Sequence, residues 1–184
     1  RMAQAHTYSI WSLLSTGMTI TNNLVDGGAT LANANISQEG IEIFGGDNVV
    51  VSQNTIINMG NAAINLITIS EAVANSDLSN IQITKNIVDS SRIGIFLGST
   101  YSLGNGPANL KDVEITDNVI TNGFEGGIFI EMQDGVPGNP TILDGISIVN
   151  NKIHLISNPD SGFIPSAVYL DGKNGENLHA ISGL

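Results

Sequence analysis

The chain has 184 residues, 41% of them hydrophobic, with 21 glycines, 5% aromatics and no cysteine. That apolar content supports one domain with its own core and argues against disorder. Six basic against 17 acidic residues give a formal charge of −11, which excludes the basic footprint that nucleic acid needs, and the lack of cysteine excludes disulfides and thiolate chemistry.

Taken in chain order, the predicted elements repeat themselves. "SIWS" (9–12) reads as the tail of a first copy. A template of apolar–x–apolar–x–x–Asn–x–apolar follows five times: "MTITNNLV" (18–25), "VVVSQNTI" (49–56), "IQITKNIV" (81–88), "VEITDNVI" (113–120) and "ISIVNNKI" (146–153). Its asparagines, Asn23, Asn54, Asn86, Asn118 and Asn151, are 31, 32, 32 and 33 residues apart. A second apolar phrase follows each: "GIEI" (40–43), "AINL" (63–66), "GIFL" (94–97), "GIFI" (127–130) and "AVYL" (167–170). "AISGL" (180–184) reads as the opening of a sixth copy. Long loops are expected at 67–80, 98–112 and 131–145, with one helical turn in "ISEAVANSDLS" (69–79), capped by Ser70 or Asp77.

Each copy holds short strands of period two. Such strands cannot bury an apolar face alone. Stacking equivalent strands about 4.8 Å apart solves this and makes residues one repeat apart vertical neighbours. Ile20, Val51, Ile83, Ile115 and Ile148 then form an inward column. The Asn column falls at a turn, where Asn tolerates left-handed backbone and its amide reaches the next Asn.

The phrase "ITKNIVDSSRIGIFL" (83–97) is similar to the repeats of right-handed parallel β-helix proteins, the pectate-lyase-like superfold. The resemblance runs from about residue 8 to the end. It implies an all-β fold, a right-handed parallel β-helix of about 5–6 coils with long loops between them. Residues 1–184 then form a single domain, read as a segment of a longer protein. The superfold hosts polysaccharide lyases, epimerases, glycoside hydrolases, tailspikes and adhesins, so function has to come from a site.

Alternation in the second phrase turns one residue per copy outward: Trp11, Glu42, Asn65, Phe96, Phe129 and Tyr169. A small column, Ser9, Gly40, Ala63, Gly94, Gly127 and Ala167, is expected as its floor. A mixed column, Phe44, Ile67, Gly98, Glu131 and Asp171, flanks it. Aromatic faces stack on sugar rings while acids and amides bind hydroxyls, so this strip is the candidate polysaccharide groove. The competing reading is that outward aromatics merely pack under loops. A second outward ladder, Thr21, Ser52, Thr84 and Thr116, has the residue type of an ice-binding array, but Gln82 and Glu114 interrupt its companion column.

For chemistry, hydrolysis needs two carboxylates, and Glu131 with Asp171 offers them. A lyase or epimerase acting on a uronic acid needs a base and a charge neutraliser, and Lys85 with Arg92 is the close basic pair; the resemblance implies calcium as the usual neutraliser. Asp134 and Asp160, in Gly- and Pro-rich loops, are the candidate calcium ligands. No catalytic signature of the superfold is present, and ordinary surface acids and turn residues account for the same positions. The expected role is an extracellular or cell-surface protein of bacterial or phage type that binds or modifies polysaccharide. The alternative is a structural shaft assembled as a homotrimer or other oligomer. No apolar run reaches about 18 residues, so no helical membrane span is expected.

Overall fold

The computed structural model describes residues 7–28, 38–71, 74–99, 109–132, 143–156, 165–172 and 178–182. They build an all-β parallel solenoid of three faces. Face one contains β1 (Thr7–Thr16), the first half of β4 (Gln38–Ser52), β6 (Ala62–Glu71), β10 (Ile93–Ser99), β13 (Gly126–Met132) and β16 (Ser166–Gly172). Face two contains β2 (Thr19–Thr21), the second half of β4, β8 (Leu78–Thr84), β11 (Leu110–Thr116), β14 (Leu143–Val149) and β17 (Leu178–Ser182). Face three is a separate five-stranded sheet of β3 (Leu24–Asp26), β5 (Thr55–Ile57), β9 (Ile87–Asp89), β12 (Val119–Gly123) and β15 (Lys152–Leu155). β4 serves two faces because it bends at Gly45 and Gly46, whose φ values of 61° and 155° suit glycine. All these pairings are parallel.

The expected vertical neighbours are in register. Ile20, Val51, Ile83, Ile115 and Ile148 pair in sequence across face two, and all are buried. Ile41, Ile64, Ile95 and Ile128 do the same on face one. Val25, Ile56, Val88 and Ile120 supply the third wall. Fully burying each such side chain contributes about 1.5–3 kcal/mol, and only stacking keeps three-residue strands dry.

The Asn column forms a continuous ladder at the corner between faces two and three. Asn86 shows the pattern. Its Oδ1 accepts from the Asn54 backbone N–H and Nδ2, both at 3.0 Å. Its Nδ2 donates to Asn118 Oδ1 at 3.0 Å and to the Val51 carbonyl at 2.9 Å. One expectation is corrected here. The left-handed backbone belongs to the residue before each ladder Asn, at Asn22, Gln53, Lys85, Asp117 and Asn150, with φ of 57–59°. These five are exposed, and the turn they make frees the following Asn to point inward.

Two further expectations are corrected. No helical turn is present among the described residues of 69–79: β6 runs through Glu71 and is met antiparallel by β7 (Ala74–Ser76). The alternating apolar–polar register of "INLITIS" simply continues the strand. The column of small residues is also not a groove floor. Gly40, Ala63, Gly94 and Gly127 are buried. A Cβ on Gly40 would meet Ile56, one on Gly94 would meet Ile120, and one on Gly127 would meet Ile153. The small residues stand at the corner where face one closes on face three, and the isoleucines of face three fill the space they leave.

Candidate functional site

The outward row of face one is in register as the alternation requires. Trp11 pairs with Glu42, Glu42 with Asn65, Asn65 with Phe96, Phe96 with Phe129, and Phe129 with Tyr169. The aromatic members are accessible: Trp11 is 52% exposed, Tyr169 39%, and Phe96 and Phe129 are half-buried. Phe129 and Tyr169 stack at 4.9 Å between ring centroids with planes 38° apart. The Phe96 ring lies over Gly98 and the Phe129 ring over Gly126, so that a Cβ at either glycine would overlap the ring. With the small residue beneath it, each ring lies along the sheet rather than standing off it. Trp11 belongs to a separate pair, packing against Phe44 at 6.2 Å.

The middle of the row differs from the open strip that alternation suggests. Glu42 is 3% exposed and Asn65 is 5% exposed. Asn65 Nδ2 donates to Glu42 Oε1 at 2.8 Å. The row therefore splits into an aromatic platform on β10, β13 and β16 and a buried polar centre on β4 and β6. Glu39, 6% exposed, lies at the same end of β4 and accepts from Asn61 Nδ2 at 2.7 Å. Burial pushes the Glu42 carboxyl up to about 7, the nearby Glu39 carboxylate pushes the same way, and the Asn65 hydrogen bond opposes both. Period-two patterning cannot reveal this centre. It marks a side chain as pointing away from the core without saying whether chain outside the sheet then covers it.

The other candidate residues fall in different places. Glu131 is half-buried and adjoins Gly98 and Asp171 in register, so the flanking column forms as expected. Lys85 is exposed at the corner between β8 and β9. Arg92 sits at the next corner, between β9 and β10, and its Nε pairs with Glu125 Oε2 at 2.5 Å. The two basic residues thus occupy opposite ends of β9 and do not converge. Lys111 Nζ lies 3.7 Å from Asp77. Asp134 and Asp160 lie outside the described residues. Among the described residues, no group of three or more His, Asp or Glu side chains is placed to hold a metal ion.

Face two carries a shallow polar groove of about 560 Å³ whose lining includes Asn48, Asn80, Gln82, Asp112 and Glu114. Its column Thr19, Val50, Gln82, Glu114 and Ser147 is in register, as is the hydroxyl ladder beside it. Aspartates tie the turns together near these edges. Ser79 Oγ and Asn80 Nδ2 donate to Asp47 Oδ1 at 2.6 and 2.8 Å. Thr121 Oγ1 and Asn122 Nδ2 donate to Asp89 Oδ1, both at 2.7 Å. Asn58 Nδ2 donates to Asp26 Oδ1 at 3.0 Å. The hydrogen bonds hold the Asp26 and Asp47 carboxyls below their usual range. At Asp89 burial pulls upward, and the bonds from Thr121, Asn122 and Ser90 together outweigh it.

A protein-family model described as a right-handed β-helix region matches residues 2–164. No curated protein matches the chain.

Proposed function

The chain belongs to the right-handed β-helix family, and from that premise we propose that it is an extracellular polysaccharide-binding protein whose recognition surface is the aromatic platform Phe96–Phe129–Tyr169. The observation that carries this reading is the placement of three aromatic side chains on consecutive strands of one outer face. Strands in a sheet repeat every 4.7–4.9 Å or so, a spacing that lets adjacent rings meet adjacent parts of one extended sugar chain. Aromatic rings offer sugars an apolar face and rigid contact area at low entropic cost. The stacked Phe129–Tyr169 pair and the glycine beneath each phenylalanine hold the surface ready before any ligand arrives. The net charge of −11 favours neutral chains over polyanionic ones.

Glu131 and Asp171, adjacent in register at the edge of this platform, are the carboxylates that would supply acid–base chemistry to a bound chain. Lys85 and Arg92 do not face it together, so the proposed chemistry, if any, runs through the acids. A glycan array probed with the unaltered protein and with Phe96→Ala and Phe129→Ala tests the binding reading. Loss of glycan signal in both variants is the expected result. Unchanged binding removes the platform, and no binding by any form, with a stable trimer or filament on sedimentation, favours a structural shaft instead. Incubation with the bound glycan, followed by assays for new reducing ends and for unsaturated product, reports any cleavage.

A further inference from the structure

The buried centre of the outward row holds more acceptors than donors. Asn65 Nδ2 donates to Glu42 Oε1. Glu42 Oε2 and Asn65 Oδ1, on residues 3% and 5% exposed, have no hydrogen-bond partner among the described residues. Orphaned acceptors at this depth carry the full desolvation penalty of the group. The two residues are direct neighbours on parallel strands, joined already through the other arm of each head group. A single proton on Glu42 Oε2 removes both vacancies, because O–H can donate to Asn65 Oδ1 while N–H donates back to Oε1. A carboxylic acid and a primary amide close this two-bond ring with complementary donors and acceptors.

We propose that Glu42 is kept as a neutral acid locked to Asn65 in a cyclic acid–amide pair, and that this pair is a proton-operated latch between β4 and β6. Ionisation breaks it. The carboxylate loses the donor that satisfied Asn65 and places a second negative charge near Glu39 in a buried setting. Among the described residues packed here no cation offers relief. β1 presents Trp11 beside Glu42, and β1, β6 and β7 carry no Lys, Arg or His. The acids on the packed elements are Glu39, on the same half of β4, Asp47 beyond the Gly45–Gly46 bend, and Glu71 at the far end of β6 opposite Ala74. A calcium ion would need six to eight oxygen ligands, more than one carboxylate arm, one amide and the separate Glu39 arm supply. The upward displacement of the Glu42 carboxyl to about 7 places the release just at neutral pH.

The inference is independent of the sugar reading. It is tested on the whole protein with carbon-13-labelled glutamate, reading the Glu42 carboxyl signal against pH, assigned by its loss in Glu42→Gln. The expected result is a carboxyl still neutral at pH 6, titrating near 7. Raising the folded value from 4.5 to about 7 makes the unfolding equilibrium constant of the unaltered protein rise about 200-fold between pH 4 and 8.5. Glu42→Gln, which cannot ionise and retains an amide donor for Asn65 Oδ1, should lack that rise. A Glu42 carboxyl that titrates below pH 5 overturns the latch, as does a Glu42→Gln variant with the same pH dependence as the parent. Stoichiometric calcium uptake with Glu42 ionised at pH 6 replaces the proton by a cation and also overturns it. Should the variant fail to fold, the glutamate signals of the unaltered protein decide alone: no carboxyl titrating near 7 overturns the latch.

Discussion

Replacing Asn86 by alanine removes four hydrogen bonds from the middle of the ladder, yet they do not count equally. Asn118 Oδ1 keeps the backbone N–H of residue 86 as a donor, and Asn54 Nδ2 keeps the Ile20 carbonyl as an acceptor. Two groups lose the bond that Asn86 made to them: the Asn54 backbone N–H and the Val51 carbonyl. Asn54 and Asn86 are both fully buried, so water does not take over. The Val51 carbonyl keeps its place in the β4–β8 ladder and loses only a second donor, about 0.5–1.5 kcal/mol, while the orphaned Asn54 N–H costs about 1–3 kcal/mol, so the loss comes to about 2–4 kcal/mol. The edge of the ladder supplies the control. Asn23 donates to Asn54 Oδ1 and to the Thr21 carbonyl but accepts from no other ladder Asn among the described residues, and Asn54 Oδ1 still accepts from the Asn23 backbone after truncation. Asn23→Ala should therefore cost about 1 kcal/mol or less. Urea denaturation of the three proteins measures both values. Equal losses at the two positions, or a loss below about 1 kcal/mol at Asn86, would refute the reasoning that buried orphan groups set the cost.

Three other outcomes are expected. Gly127→Ala would place a methyl 2.5 Å from the Ala167 carbonyl oxygen and 2.6 Å from Ile153 Cγ2, and overpacking of this kind costs about 1–3 kcal/mol in a thermal or urea melt. Asp26, Asp47 and Asp89 have folded-state pKa values below the unfolded value of 3.8, so their contribution is present above that pH and fades as pH falls through the folded values. Acid unfolding followed by circular dichroism should show this, and the triple Asp→Asn variant should lose stability at pH 6 while becoming less sensitive to acid. Ile83→Ala, at a fully buried position of the central column, should cost about 2–5 kcal/mol by the same denaturation assay.

The fold was legible because the repeat states the same physical requirement five times. Apolar residues two apart mark the buried side of a strand, and a shared spacing of about 32 residues brings Val51, Ile83 and Ile115 above one another. The ladder asparagines were legible for the same reason. The position of the left-handed residue was not, since Gln53, Lys85 and Asp117 share no side-chain chemistry that announces it. At the site, the period of two predicted the row from Trp11 to Tyr169 correctly but could not separate its exposed aromatics from its buried Glu42–Asn65 pair. Burial of an outward side chain depends on chain that lies outside the strand, and no local pattern encodes that. The inward placement of Gly40, Gly94 and Gly127 was missed because the strand turns a corner there, and alternation fails where the backbone changes face.

Chemical-shift mapping with an oligosaccharide drawn from a positive glycan tests the central claim most directly. The backbone amides of Phe96, Phe129 and Tyr169 are expected to shift together and saturably while those around Gln82 and Glu114, on the other face, stay in place. Shifts confined to the polar groove of face two, or none on β10, β13 and β16 at saturating sugar, would contradict it.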